Sequence, residues 1–282
     1  AAEFLYETTL FPDLEYTFKH ALTYEVAYGS LLQERRCLLH GRIVEAIERL
    51  YGERLTEYVE RLGYHALRGQ QWEKALTYFR QAGARAFARS ANREAVACFE
   101  QALQALGHLP ERPDRLEQAI DIRFEIRSAL LPLGEIEKIL RTLLEAESLA
   151  KNLKDQRRLG WVATYMTIYS WWQGNLGQTI AAGERAVAIA EETGDFALQV
   201  VSGAYLATPY FLRGNHKQAI DLLWKTINVL TGDLIRERFG QVALPAAFAR
   251  AFLALCFAEQ GQFAEGIEIA QEAIRIAESV DQ

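Results

Sequence analysis

A short pattern recurs along the second half of the chain and constrains its fold more than any other feature. Each copy has a glycine, usually followed by a polar residue, and then a small residue with an aliphatic neighbour, five to six positions after the glycine. Ile139, Thr179 and Ala219 are 40 residues apart, and the next step, to Gly266, is 47. A fixed period in this range predicts stacked supersecondary units. The copies begin at Gly134, Gly174, Gly214 and Gly261, and two degenerate copies begin at Gln70 and Asn92.

Each repeat is predicted to be a pair of helices. Upstream of Gly174, the residues Trp161, Tyr165, Ile168 and Trp172 are spaced four, three and four apart, which places them on one helical stripe. A glycine can end the first helix in a left-handed conformation, and an Asn or Gln can then cap the second. The sequence therefore predicts helix hairpins with turns within about two residues of the following glycines: Gly69, Gly134, Gly174, Gly214 and Gly261.

Small residues mark where the two helices of a hairpin approach each other. Ala207 and Ala254 each lie seven residues before a repeat glycine, opposite the small residue that follows it. This combination resembles the tetratricopeptide repeat from roughly Thr56 onward. The period is longer than the usual value of about 34, and the closing proline is missing, so we expect longer helices. The resemblance implies an all-α chain that forms a right-handed α-α superhelix.

The residues before Thr56 do not carry the repeat. Residues 14–19 alternate like a short strand, residues 20–28 have a helical pattern, and a second helix is expected from about Glu34 to Leu50. That second helix carries Leu39, Ile43, Ile47 and Leu50 on one face.

The segment from Tyr16 to Tyr28 resembles the part that leaves the ATPase unit in bacterial signal-transducing ATPases. It is most similar to large regulators in which a class III adenylate or guanylate cyclase domain and an ATPase domain precede tetratricopeptide repeats. The stretch from Ser90 to Leu103 strengthens this resemblance. It implies the end of a winged-helix segment at residues 1–50, degenerate repeats at 51–109 and regular repeats at 110–282, with catalysis upstream.

Both ends of the chain are expected to be cut edges of a longer protein. The N-terminus begins without Met, and the C-terminus follows a second helix without a polar capping helix. The outer face of the last hairpin should then be exposed and could drive end-to-end self-association. This face is expected to carry Ile267, Ala270, Ile274 and Ala277.

Composition and charge exclude several classes of protein. The net charge of -6 is spread over 282 residues without a basic field, which disfavours nucleic-acid binding. The cysteines Cys37, Cys98 and Cys256 are far apart and form no zinc or disulfide pattern, which favours a reducing cytoplasm. No apolar run is long enough to span a membrane.

Motifs for chemistry are absent from the sequence. It contains neither a P-loop nor a dinucleotide-binding glycine motif, no metal-binding histidine pattern and no nucleophile elbow. The adjacent Glu191 and Glu192 are best explained as part of a solvated helix face. We therefore expect no cofactor, no metal site and no nucleotide turnover in this chain.

Several residues are candidates for a nucleotide or partner contact. In ATPases of the resembling class a winged-helix histidine can report the nucleotide state, which makes His20 a weak candidate for nucleotide sensing, although a capping or packing role explains it more simply. Tyr169 and Trp171 lie off the buried stripe of their helix, and Tyr210 and Arg213 would share the same concave side.

The segment from Gly232 to Pro245 accounts for the longer step of 47 residues as an insertion, and it carries Arg236 and Arg238. Insertions in repeat proteins often map to the binding face, but a tolerated loop is an equal alternative.

The favoured hypothesis is a non-catalytic sensor or scaffold. Its concave face would bind a protein, peptide or small ligand and regulate an upstream ATPase or cyclase. A structural oligomerisation array remains an alternative, and an enzyme with a site between the helices is a weaker one.

Overall fold

The computed structural model describes residues 5–9, 15–172 and 174–280, without the side chains of residues 6–9, 15 and 170–172. Helices make up 81% of it, which confirms the all-α class. The chain divides into two compact units. Unit 1 contains residues 1–89 and 97–109, and unit 2 contains residues 90–96 and 110–282.

Unit 1 begins with a two-stranded antiparallel sheet, in which β1 (Leu5–Thr9) pairs with β2 (Glu15–Phe18). The strand before His20 is thus confirmed, and its partner β1 was not anticipated because no alternation marks it. The helices that follow are α1 (Ala21–Gly29), α2 (Gln33–Leu50), α3 (Val59–Arg68), α4 (Trp72–Ala88) and α5 (Asn92–Leu106), the last of which begins in unit 2.

The apolar face of α2 is only partly buried. Leu39 is 39% exposed and Leu50 is 63% exposed, whereas His40 is only 6% exposed and Val44 is fully buried. Leu39 and Leu50, at the two ends of the apolar face, thus lie outside the core. A hydrophobic pattern cannot anticipate a histidine in the core, because the hydrogen bonds that make its burial acceptable come from other helices.

A pair of histidines joins α2 to α3 in unit 1. The two Nδ1 atoms of His40 and His65 lie 2.8 Å apart, and His40 Nε2 lies 2.9 Å from the hydroxyl of Tyr28 in α1. The Nδ1 contact needs one donor and one acceptor, so it cannot form when both rings are protonated. Burial, together with the positive charge of Arg68, lowers the pKa of His40. Burial, His40, Arg61 and Arg68 lower the pKa of His65 to about 4.

This pair predicts a loss of stability in mild acid. The folded protein keeps both rings neutral, while the unfolded chain takes up protons near the ordinary pKa of 6.5. The contribution of the pair is therefore complete above pH 6.5 and is lost as the pH falls from 6.5 toward about 4. Urea unfolding measured across this pH range should show the loss of stability. His65→Gln should reduce the slope of the free energy of unfolding against pH. The exposed His20→Gln is the control, and an unchanged slope in His65→Gln would contradict the assignment.

Unit 2 consists of four helix hairpins. The turns between the helices of each pair contain Gly134, Gly174, Gly214 and Gly261, all with φ between 68° and 78°, which confirms the predicted left-handed turns. The first and second helices alternate as follows: α6 (Pro113–Leu130), α7 (Ile136–Leu153), α8 (Gln156–Trp172), α9 (Leu176–Thr193), α10 (Phe196–Leu212), α11 (His216–Val229), α12 (Pro245–Glu259) and α13 (Phe263–Glu278).

Caps and helix lengths also agree with the sequence. The side chains of Asn175 and Asn215 accept hydrogen bonds from the backbone N–H groups of Gln178 and Gln218. Helices α7, α8 and α9 are 17 or 18 residues long, as the 40-residue period predicts. The turn at Gly69 differs slightly, because Gln70, with a φ of 55°, takes the left-handed position there.

The predicted close approaches within the hairpins are present. Ala207 and Ala219 are both fully buried and belong to one core cluster. A Cβ atom at Gly266 would lie 3.2 Å from the carbonyl oxygen of Ala254. Small residues at these positions thus set the distance between the helices of a hairpin.

The insertion between α11 and α12 is anchored to its surroundings. It opens with a 3-10 turn at Gly232–Arg236. Ile235 and Phe239 pack on a core cluster that includes Val200 and Ile276. The insertion is therefore part of the packed structure of unit 2.

The outward face of α13 is apolar. Ile267 is 57% exposed and Ile274 is 56% exposed, in agreement with the predicted outer face, and Phe263 on the same helix is 65% exposed. Self-association through this face stays a prediction. Within the described ranges, no helix is both long enough and apolar enough to cross a membrane.

Candidate functional site

The candidate site lies on the face of unit 2 that is formed by the first helices of the hairpins, which we call the first-helix face. Helix α10 contacts α8 on one side and α12 on the other, so these helices form a continuous surface. Residues from α6 and from the insertion complete it. Of the predicted contact residues, Tyr169 lines a cleft of this face, whereas Tyr210 and Arg213 line a separate pocket with residues of α9.

A polar network lies beneath this face. The guanidinium of Arg127 in α6 sits 4.0 Å from the ring centre of Tyr165 in α8. The hydroxyl of Tyr205 in α10 donates to Gln241 Oε1 at 3.2 Å, and Gln241 Nε2 donates to the hydroxyl of Tyr165 at 3.4 Å. The insertion thus supplies, through Gln241, a buried link between two first helices.

The positive charge of Arg127 acts on both tyrosines. Burial raises the pKa of Tyr165 and of Tyr205, and the nearby guanidinium opposes the rise in each case. Both phenols therefore stay neutral near pH 7, so neither of them supplies a counter-charge to the arginine.

An apolar pocket of about 170 Å³ opens beside this network. Its walls come from α8, α10 and α12, from the 3-10 turn after α6, and from Ala243 of the insertion. Phe248 and Pro209 line it, and so does Thr208, whose buried hydroxyl has no hydrogen-bond partner. A pocket of about 150 Å³ can hold a benzene-sized group, so this one can hold a large apolar side chain.

The sequence analysis missed Arg127 and the pocket. Arg127 continues a stripe with Ile120, Phe124 and Leu131 at spacings of four, three and four, so a charged residue on an otherwise apolar stripe was the available signal. The pocket had no signal, because its walls come from helices that are distant in sequence.

Tyr210 and Arg213, two of the predicted contact residues, do line one open pocket, together with Glu184. The hydroxyl of Tyr210 donates to Glu184 Oε1 at 2.7 Å. Burial and the charge of Glu184 raise the pKa of Tyr210 to about 12. Arg213 is exposed at the end of α10 and can meet an incoming partner.

The other predicted residues are scattered. Tyr169 is half-buried and lines a small cleft beside Arg127, and the side chain of Trp171 lies outside the described residues. Arg236 and Arg238 are exposed, and they contact the Ser279 hydroxyl and the Val242 carbonyl within unit 2. His20 precedes α1 without a side-chain cap and is exposed in unit 1. Their roles in binding stay predictions.

In the described part of the chain, no cluster of three or more histidine, cysteine or acidic residues could hold a metal ion. Cys37, Cys98 and Cys256 form no disulfide within the described part of the chain, and burial raises the pKa of Cys256 to about 11, which keeps that thiol protonated.

Comparison with solved structures identifies the fold. A Rap protein complexed with Competence and Sporulation Factor has a TM-score of 0.63 at 12% identity, covering 93% of this chain and 72% of that one. The Rap conjugation gene regulator of plasmid pLS20, in complex with the Phr* peptide, has a TM-score of 0.62 at 16% identity, covering 78% of this chain and 56% of that one. TPR-like repeats of a putative kinesin light chain from Podosopora anserina have a TM-score of 0.51 at 19% identity, covering 72% and 94%. The chain therefore has a TPR-like helical-repeat fold.

Sequence comparisons are less informative. No family model matches the chain. An uncharacterized protein of Rhizobium meliloti (strain 1021) is 28% identical over 163 residues, which cover 56% of this chain. The matched region spans only 15% of that relative.

Proposed function

We propose that the chain is a non-catalytic binding module whose first-helix face takes up a peptide or a peptide segment of a partner protein. The observation that carries this proposal is the apolar pocket of about 170 Å³ between the first helices, with a buried and unpartnered threonine hydroxyl in its wall. An apolar pocket with a few polar groups is the usual form of a ligand site. Two structural neighbours with the same fold are complexed with the Phr* peptide and with Competence and Sporulation Factor, which supports a peptide as the ligand class here.

Regulation of an attached ATPase or cyclase is the finer part of the proposal. Its support is the resemblance of the segment from Tyr16 to Tyr28 to regulators that join such domains to tetratricopeptide repeats. In that arrangement, peptide binding in unit 2 changes the activity of catalytic domains that lie outside this chain. The chain itself acts in the cytoplasm and without a cofactor. Nucleotide turnover by a longer form of the protein, measured with and without bound peptide, tests this part. An activity that does not respond to peptide would contradict it.

Filling the pocket should abolish peptide binding. Ala243 is exposed and stands in the pocket wall, so the indole of Ala243→Trp would occupy the space without disturbing the core. The immobilised chain should enrich peptides from a random library, and Ala243→Trp should weaken their binding at least about tenfold, which corresponds to about 1.4 kcal/mol. Fluorescence anisotropy with a labelled peptide from the selection measures the difference.

The adjacent Val242→Trp is the matched control. Val242 is 38% exposed and does not line the pocket, so the same bulk added there should leave the affinity unchanged. Failure to enrich any peptide, or equal affinities for both tryptophan variants, would overturn the proposal and leave the structural-array alternative.

A further inference from the structure

Arg127 is a buried arginine without a complete set of partners. It is 2% exposed, and its Nη1 atom has no hydrogen-bond partner. None of the carboxylates whose side chains the structure describes pairs with it. Burying a positive charge is costly unless a negative group and hydrogen bonds compensate for it. The native ligand can supply what the chain itself does not.

A second buried arginine in unit 2 shows the usual solution. Arg250 is 5% exposed and forms an ion pair with Glu272, whose Oε1 lies 2.9 Å from its Nε without hydrogen-bond geometry, and its Nη1 donates to the carbonyl of Ala246 at 3.1 Å. Arg127 has instead the ring face of Tyr165 and the neutral hydroxyl of Tyr205. The two arginines therefore differ in that Arg250 has a carboxylate partner, whereas Arg127 has none among the described side chains.

Arg127 adjoins the apolar pocket. Arg127 lines a narrow cleft whose other walls include Leu131 and Ile168, and the same two residues also line the pocket that contains Thr208 and Phe248. The cleft has a volume of about 10 Å³, which is close to the space that one water molecule needs. A single carboxylate oxygen has a similar size.

We propose that this place binds a carboxylate that is adjacent to a large apolar side chain, with the carboxylate on Arg127 and the side chain in the pocket beside Phe248. This inference rests on the proposed peptide-binding function and specifies its ligand. Among the described residues that line the two spaces, Arg127 alone is basic, so one negative charge is balanced. A phosphate group carries more charge and more bulk than this cleft accommodates. The carboxylate can belong to the C-terminus of a peptide or to an Asp or Glu side chain.

Three small probes test the proposal on the full chain. N-acetyl-phenylalanine presents a terminal carboxylate, N-acetyl-aspartyl-phenylalanine amide presents a side-chain carboxylate, and N-acetyl-phenylalanine amide has none. We expect at least one of the two acids to bind about 10- to 100-fold tighter than the uncharged amide, as expected for hydrogen bonds to a charged group. The tighter acid identifies the source of the carboxylate. Ligand-observed NMR titration measures all three dissociation constants.

Two variants connect the difference to Arg127. Arg127→Met removes the charge and keeps the length of the side chain. It should lower the affinity for the tighter-binding acid to the affinity for the uncharged amide. The exposed Arg141→Met in α7 is the matched control and should bind as the unmodified chain does. Thr208→Val, which loses only the unpartnered hydroxyl, provides a second variant that keeps the core volume, and we expect it to bind the acid more weakly.

Urea unfolding establishes that Arg127→Met is folded, and we expect no loss of stability because an uncompensated charge is removed. Equal affinities for acid and amide, an unaffected Arg127→Met, or competition by inorganic phosphate as strong as by the acid would each overturn the inference. So would the absence of binding by all three probes at millimolar concentration. If library peptides no longer bind Ala243→Trp but bind Arg127→Met normally, the peptide-binding function stands and only the inference of a bound carboxylate is rejected.

Discussion

Replacing Leu253 with alanine is expected to lower the free energy of unfolding by about 2 to 5 kcal/mol. Leu253 in α12 is fully buried in a cluster with Leu223 in α11 and Ala207 in α10. The substitution removes apolar contacts and leaves a cavity among three helices that can relax only partly. The urea midpoint, measured by circular dichroism, gives the change in stability.

Leu255→Ala in the same helix is the matched control. Leu255 is 47% exposed, so the same chemical change removes little buried surface there and should alter the stability by less than about 0.5 kcal/mol. Similar midpoint shifts for the two variants would mean that the side of α12 that contacts Leu223 in the structure is not buried in solution.

The opposite change in volume should also destabilise this cluster. Ala219 in α11 is fully buried and shares the cluster with Ala207. The side chain of Ala219→Leu has no space where α10 and α11 approach each other, and the resulting strain should cost about 1 to 3 kcal/mol. Urea unfolding followed by tryptophan fluorescence provides the measurement.

Lys217→Leu tests whether the effect depends on the position. Lys217 is exposed on the same helix, two residues earlier, so a leucine there should be nearly neutral. If Ala219→Leu shifts the midpoint no more than Lys217→Leu does, the assigned close approach between the two helices is wrong.

Two predictions concern the site itself. The pocket, the buried network and the insertion meet on the first-helix face, so Ala243→Trp tests the pocket and Arg127→Met tests the network independently. Together they separate a peptide-binding module from a purely structural array. The histidine pair in unit 1 is independent of both.

The repeat pattern alone determined most of the fold. Glycines at the left-handed turns, asparagines at the caps and small residues at the close approaches act within one hairpin, over distances that a sequence pattern can express. This is why the turns at Gly134, Gly174, Gly214 and Gly261 and the burial of Trp161 and Tyr165 could be predicted.

Only the tertiary structure determined which residues form the site. Arg127, Tyr205, Gln241 and Thr208 come from α6, α10 and the insertion, and their sequence positions do not reveal that they meet. The same is true of His40 and His65, because their burial depends on partners in other helices. A hydrophobic pattern records which face of a helix is apolar. It does not record which polar group a neighbouring helix makes acceptable in the interior, and the chemistry of this site depends on those polar groups.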